Sequence, residues 1–429
     1  MKLTIEKLVY GGDGLARIKS GEQTKTVFVP FVIPGEGVEA TEIEQRPGFS
    51  RARLDEVLEP SELRISAPCP YFGSCGGCQY QHITYDAQLR FKSEILRETL
   101  LRTAKLDLAS EIQIHRSEPF HYRNRTRFHV SAHPHFAVGY FRPGSHDLLS
   151  VRECPISSPL INRTLPAVWE LGQAGQLPSA LVELEMFAGA EDNALLAEAY
   201  FSTKVKSDEL SRFSAGLVSR VPELGGLIAF YLNPDKASRS LEGQTVFGSS
   251  RLQYRVAGET YAVSAGAFFQ TNRFVLPEML SVVAGKKRGK LALDLYAGVG
   301  LFTVALARGF DRVIAVESSP VSVSDLRANA PENVKISAQT VEAYLSSAAG
   351  QLRPDLIVVD PPRNGLGTTV CRHLNDMRAS QMVYVSCDPA TLARDLKQLL
   401  TGGWRVEEMH LLDLFPQTFH IESCAVLRR

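Results

Sequence analysis

The chain has no charge to spare: 47 lysines and arginines are matched by 47 aspartates and glutamates among 429 residues. That balance excludes simple coating of DNA, which needs a basic surplus, and leaves any polyanionic partner to local basic patches. Long apolar runs are missing too, and no stretch reaches the roughly 20 residues that cross a bilayer as a helix. The opening MKLTIEKLVYGGDG alternates apolar and polar residues and lacks the apolar core of a signal peptide. A cytoplasmic protein with no membrane partner is expected. There is no internal repeat and no low-complexity tract. Cysteines are few and odd in number, seven, which argues against a disulfide framework and for metal binding or catalysis. Hydrophobic residues at 44% and charged residues at 22% describe a globular protein, too long for one core, so two or three domains are expected.

What is present changes character along the chain. To about Pro60, short strand-like runs (LTIEKLVY, KTVFVPFVI, PGEGVEATEIE) alternate with glycine and proline, as in a small β-barrel. A loop rich in glycine and cysteine follows. Asp86 then reads as a helix start, and AQLRFKSEILRETLLRTA carries Leu89, Leu96 and Leu100 at helical spacing. From Ile112 to about Arg255 the segments RTRFHVSA, HFAVGYF, LVELEMFAG and LIAFYLN suggest a mixed α+β unit. From about Ala265, strands and helices alternate through LALDLYAG, RVIAVESS, DLIVVDPP and MVYVSC, which predicts a doubly wound parallel sheet.

Ligands of such sheets bind beyond the carboxyl ends of the strands, so the residues there are the informative ones. After the first strand, Gly298 and Gly300 in Asp294-Leu-Tyr-Ala-Gly-Val-Gly300 permit close approach of a ligand, although an ordinary tight turn would also want glycine. A dinucleotide site needs a third glycine where Thr303 stands. Glu317, at the end of the second strand, can accept both hydroxyls of a ribose. Acidic positions without a phosphate cradle suit S-adenosylmethionine, a sulfonium cation. The next strand runs into Asp360-Pro-Pro-Arg363, stiffened by two prolines. Amino-methylating enzymes end a similar loop in an aromatic residue, so Arg363 disfavours that chemistry. Cys387 ends the following strand on the same edge, which raises it from packing to candidate nucleophile. Cys371, in a predicted helix, and Cys424, in an apolar terminal strand, read as packing.

Two further clusters stand apart from that edge. Cys69, Cys75 and Cys78 with the distant Cys154 give four thiols, of which only one pair has the close spacing of a zinc knuckle. This fits a cubane iron–sulfur cluster better than structural zinc. Arg123, Arg125 and Arg127 alternate, which puts them on one face of a strand, with Tyr122 and Phe128 nearby for stacking. They suit phosphate contacts or, equally, a guarded edge strand.

The segments DLYAGVGLF, VVDPPRNGL, YVSCDPATLARDL and PQTFHIES together resemble the RNA uracil-5-methyltransferase family, which makes 5-methyluridine. GAFFQTN (266–272) is similar to the family's cofactor-binding lead-in, the PGE element to its oligonucleotide-binding-like TRAM barrel, and CPYFGSCGGCQYQH to its 4Fe-4S version. The resemblance implies that Cys387 adds to carbon 6 of uracil and that Glu422, in the terminal H-x-E pattern, removes the carbon 5 proton. It further implies that Gln270, Tyr296, Glu317 and Asp360 contact the cofactor or the target base, and that the YRNR arginines contact RNA or support its channel. Arg363 is also expected to contact RNA. His420 is given a structural role. Related cytosine-5 enzymes carry a second cysteine in the loop that is Asp360-Pro-Pro-Arg363 here, so uracil is favoured. The implied organisation is a TRAM barrel over 1–60, a central cluster and RNA-binding unit over 61–80 and 113–258, and a Rossmann-like methyltransferase domain over 81–112 and 259–429. The expected substrate is 23S rRNA, with the T-loop uridine of tRNA as the alternative, and the chain is expected to act as a monomer. The runner-up is an RNA-binding module with a vestigial enzyme domain, opposed by the presence of both Cys387 and Glu422.

Overall fold

The computed structural model describes residues 1–20, 23–232, 243–348 and 352–429. Residues 2–59 form a six-stranded mixed sheet whose two edge strands, Lys2–Thr4 and Lys7–Leu8, are neighbours in the chain. Two edges joined by so short a link must lie close together, so the sheet is rolled around its own core of Leu3, Ile5, Val27, Val29, Val38 and Ala52. Glu36 of the PGE element is fully buried and accepts two hydrogen bonds from Arg64, both of 2.6 Å, which tie the rolled sheet to the segment after it.

The helix predicted near Asp86 runs from Tyr85 to Thr99, one residue earlier at its start. Asp86 lies in its first turn and pairs with Arg116 at 2.6 Å. Leu89, Leu96 and Leu100 are buried, against the C-terminal sheet. The central unit is a seven-stranded sheet that includes Arg125–Ser131, Leu181–Ala188, Leu195–Phe201 and Leu224–Tyr231, with helices Pro159–Gln173 and Ser207–Val218 covering one face. Of the run LIAFYLN, Asn233 lies outside the described residues.

The C-terminal sheet has eight strands in the spatial order Val334–Ala338, Phe310–Glu317, Gly289–Leu295, Leu356–Val359, Gln381–Ser386, Glu422–Arg428, Arg405–Leu412 and Gln113–His115. The first five are mutually parallel, Glu422–Arg428 is antiparallel to its neighbours, and Gln113–His115 adds in parallel at the far edge. Two expectations change here. Val334–Ala338 intervenes before the strand leading to Asp360, which is therefore the fourth strand, not the third. Gln113–His115, read as the start of the central unit, belongs to the C-terminal sheet. Strand order reverses between Gly289–Leu295 and Leu356–Val359, and a ligand crevice opens at such a switch point. Leu293 and Leu295 pack into one core while Ala292 packs into the other, so the sheet is buried on both faces. The second core also contains Phe187, Tyr200 and Phe230, which joins the central sheet to the C-terminal sheet.

Candidate active site

The switch point gathers the residues picked from the strand ends. Tyr296 leaves the first strand with φ 66°, an uncommon conformation for a tyrosine, and Gly298 and Gly300 follow at φ 55° and 98°. A side chain added at Gly298 would meet nothing within 4 Å, so the turn faces open space. At Gly300 it would stand 2.8 Å from Leu326, which makes glycine a packing requirement there. Glu317 holds the turn: one oxygen accepts the Gly298 N–H at 2.8 Å, the other the N–H groups of Ser318 and Ser319, both at 2.7 Å. A carboxylate has about four acceptor sites. Three are occupied, which leaves about one open.

Asp294 is fully buried; one oxygen accepts the Thr303 hydroxyl and the other has no partner. Burial, and then the charge of Glu317, pushes its pKa up to about 7, against the Thr303 hydrogen bond. Asp360 is half-buried at the next strand end and is likewise pushed up to about 7, by loss of solvent and by Asp294. Gln270 is buried within GAFFQTN, while Phe268 beside it is 66% exposed.

Antiparallel pairing explains how Cys387 and Glu422 meet. Ser386 pairs with Ser423, so the register continued by one residue sets Cys387 opposite Glu422, on one face of the sheet. Glu422 is 4% exposed and has a pKa well above the usual carboxylate range, from burial and then from Asp360. The Cys387 thiol is pushed up to about 12 by burial, Glu422 and Asp360, with exposed Arg363 opposing. Cys371 and Cys424 are fully buried in their helix and strand.

Two supporting residues escaped the sequence reading. Asp388 caps the helix Pro389–Thr401, accepting the N–H groups of Ala390 at 3.0 Å and Thr391 at 2.8 Å, and Asp followed by Pro was a legible signal for it. Asp395, fully buried, accepts the Tyr384 hydroxyl at 2.8 Å and the Leu366 N–H at 2.7 Å. It thereby ties the loop after Asp360 to the strand before Cys387. Nothing local in the sequence announces that role.

The arginine row, Arg123, Arg125 and Arg127, lines one groove. Arg125 and Arg127 share one strand face, but both are engaged inside the protein. Arg125 pairs with Glu185 and, at 2.8 Å, with Glu198. Arg127 pairs with Glu185 and Glu183, and lies over the Tyr200 ring at 4.4 Å. Their carboxylate partners sit on the next two strands, so both cations are already ion-paired where they line the groove. Arg123 has no ion pair among the described residues and donates to the Arg125 carbonyl at 3.1 Å. Tyr122 and Phe128 are both 0% exposed, hence core residues and not stacking platforms.

Cys69, Cys75, Cys78 and Cys154 all line one cavity of about 320 Å³. Asn162 fixes the Cys154 backbone through hydrogen bonds of 2.9 and 3.0 Å, and Gln81 accepts the Cys69 N–H at 3.1 Å. Among the described residues, no group of three or more His, Cys, Asp or Glu side chains is arranged to hold a metal ion. Thr418 and His420 line the same cavity, so it ends two residues short of Glu422. His420 packs against the Phe419 ring, centroids 4.3 Å apart, and its pKa falls to about 4 through burial and nearby Arg363, Lys92 and Arg123. No helix among the described residues is long and apolar enough to cross a membrane.

Fold and crevice together define a class, the Rossmann-like methyltransferases that carry additional sheets. Within it, the chain belongs to the tRNA (uracil-5-)-methyltransferase family, whose model matches residues 84–429. An RNA methyltransferase of Aquifex aeolicus is 35% identical over 438 residues, covering 100% of this chain and 98% of the relative. One of Thermotoga maritima is 30% identical over 446 residues, covering 99% and 98%. Both are described as uncharacterized RNA methyltransferases. Among solved structures, the Pyrococcus abyssi tRNA (uracil-54, C5)-methyltransferase in complex with S-adenosyl-L-homocysteine shares the fold over 100% of both chains, with a TM-score of 0.77 and 23% identity.

Proposed function

We propose that the protein methylates carbon 5 of a specific uridine in RNA, with S-adenosylmethionine as donor and Cys387 as a covalent nucleophile. The observation that carries this reading is the pairing register that sets Cys387 opposite Glu422 at the crevice. Carbon 5 of uracil is too weak a nucleophile to attack a methyl sulfonium. Addition of the Cys387 thiolate to carbon 6 forms a C–S bond and moves the electron pair into an enolate, so that carbon 5 becomes nucleophilic. Carbon 5 then takes the methyl group. Glu422 removes the carbon 5 proton, and the returning electron pair expels the thiolate.

S-adenosylmethionine supplies the electrophilic methyl group and brings a positive charge. Several features fit such a ligand: the open space over Gly298, the unpartnered oxygen of Asp294, the one free acceptor site of Glu317 and the raised carboxyl of Asp360. The complex of the P. abyssi enzyme with S-adenosyl-L-homocysteine supports the same reading.

The four cysteines are assigned to a 4Fe-4S cluster. A cubane carries its ligand sulfurs at its outer corners, so thiolates that hold one surround a hollow instead of converging on a point. Four thiols around a single cavity fit that requirement, and the cluster's role would be structural, since the methyl transfer needs no electron. The rolled N-terminal sheet is assigned as a TRAM-type RNA-binding unit. RNA would run along a groove of about 810 Å³ lined by Arg123, Phe268, Thr271, Ser319 and Val321, which links the central sheet to the Glu317 turn. The target uridine must be flipped to admit a thiolate to carbon 6, which favours a loop substrate.

The substrate is assigned as 23S rRNA on the resemblance of the cysteine segment. The P. abyssi tRNA enzyme gives the T-loop uridine its standing as the second reading. Anaerobically purified protein, tritiated methyl donor, and undermodified rRNA and tRNA in separate reactions decide between them. Label in rRNA is expected. Label in tRNA alone would overturn the substrate assignment, and label in neither would favour a non-catalytic RNA-binding role.

A further inference from the structure

The rolled N-terminal sheet reaches the nucleophile. Between its second and third strands, Val9–Asp13 forms a tight turn, with hydrogen bonds from the Val9 N–H to the Asp13 carbonyl at 2.9 Å and from the Gly12 N–H to the Val9 carbonyl at 3.1 Å. Gly12 takes φ 96° and lies so close to the next unit that an added side chain would stand 3.1 Å from Gln79 and 3.5 Å from Phe419. The turn is thus pressed against the segment leading to Glu422, and Tyr10 projects from it.

Tyr10 is half-buried, and its ring meets Phe419 edge to face, centroids 5.6 Å apart at 87°. Its hydroxyl donates to the Cys387 carbonyl at 3.5 Å, beside the charge of Asp388. Asp388 caps the helix that follows the nucleophile. Tyr10 therefore touches, at once, the turn that presents the thiol and the segment three residues before Glu422. No other residue of the N-terminal sheet makes a hydrogen bond to residues 386–388 among the described residues.

We propose that Tyr10 is a positioning residue for the reaction: it holds the Cys387–Asp388 turn in register with the Phe419–Glu422 segment, which makes the N-terminal sheet a structural part of the active site. The catalytic consequence rests on the reading of Cys387 and Glu422 given above, whereas the bracing of the Cys387 turn does not. If the sheet served only as a tether for RNA, its loss of contact with the turn would alter RNA affinity alone. As a brace, it acts on turnover.

The test uses the full chain with Tyr10→Phe, which keeps the ring against Phe419 and removes the hydroxyl. Steady-state methyl transfer is measured together with the alkylation rate of Cys387 by iodoacetamide, read on its peptide by mass spectrometry. The bond is long at 3.5 Å, so its loss, at the weak end of the range, predicts a fall in kcat of about two- to threefold with an unchanged KM for RNA. The loosened turn should also be alkylated faster. Unchanged kcat and alkylation would overturn the proposal, as would a rise in KM alone. If the unaltered protein methylates no RNA, the functional reading fails, and alkylation alone then decides whether Tyr10 braces the turn.

Discussion

Binding of the methyl donor should release protons near neutral pH. Asp294 and Asp360 each have a pKa of about 7, Asp294 because it is buried beside Glu317 and Asp360 because it is buried beside Asp294. At pH 7 such a carboxyl is about half protonated, and a cation brought next to it favours the ionised form. Complete ionisation of both would release about one proton, and because the two interact the release belongs to the pair. If the donor binds only the ionised form of one of them, its affinity tightens by at most about tenfold between pH 6 and pH 8. S-adenosylhomocysteine lacks the methyl group and with it the sulfonium charge, so comparing the two ligands reads chiefly what that charge contributes. The assay is calorimetric titration in buffers of different ionisation enthalpy, where the slope of observed heat gives the protons released. A slope of zero for S-adenosylmethionine from pH 6.5 to 7.5, or equal slopes for both ligands, would refute this account of the carboxyl pair. Stability of the ligand-free protein carries the matching sign. A carboxyl pKa raised on folding removes stability as pH climbs from the unfolded value near 4 through about 7, and the donor should restore it.

Cys387→Ala should reduce methyl transfer by more than about 10³-fold, because the nucleophile has no substitute. Glu422→Gln should instead accumulate a protein–RNA adduct that survives denaturing electrophoresis, and normal turnover by this variant would show that the base lies elsewhere. Arg125→Ala leaves Glu198 without its ion-pair partner inside the central sheet, while Glu185 keeps Arg127, and should destabilise the fold by about 3–5 kcal/mol in a denaturant titration. An effect confined to RNA binding would mean that its ion pairs matter less than the structure implies. On the proposed cluster assignment, the anaerobically purified protein should contain iron and acid-labile sulfide and Cys69→Ser should lose most of both; absence of both from the unaltered protein would refute the cluster, and retention of both by the variant would remove this residue from it.

The strand ends were legible in the sequence because a buried parallel sheet writes itself as uninterrupted apolar runs, each stopping at a candidate site residue. That is how Glu317, Asp360 and Cys387 could be picked out one by one. Val334–Ala338 was overlooked for the converse reason: it is an edge strand with no fully buried residue. Gln113–His115 is three residues long and takes its identity from pairing with Arg405–Leu412, nearly 300 positions away in the chain. The alternation of Arg123, Arg125 and Arg127 correctly signalled a shared face, but a strand's own sequence does not disclose what stands on its neighbours. Glu183, Glu185 and Glu198 do, and they convert the row into internal ion pairs. Tyr10 was illegible on the same ground, since its partners lie in the last fifty residues.

The thiol raises the hardest question about the site. The proposed mechanism requires Cys387 as a thiolate, yet its surroundings push its pKa up to about 12. At pH 7 only about one molecule in 10⁵ would then be ionised, so the ligand-free site is nearly inert to electrophiles. Two of the groups responsible, Glu422 and Asp360, are themselves carboxyls with raised pKa values, which places the whole cluster under one electrostatic control. A single cation brought within about 4–6 Å shifts such groups by one to three pKa units each, in the direction that favours every ionised form. The donor's sulfonium is such a cation, and Arg363 already acts in the same sense. Donor binding should therefore precede adduct formation and should itself awaken the thiol. Alkylation of Cys387 by a neutral reagent is expected to accelerate at least tenfold with S-adenosylmethionine and far less with S-adenosylhomocysteine, as about one pKa unit requires. Equal acceleration by both would attribute activation to loop ordering instead of charge. No acceleration by either would leave the RNA substrate as the agent that ionises the nucleophile.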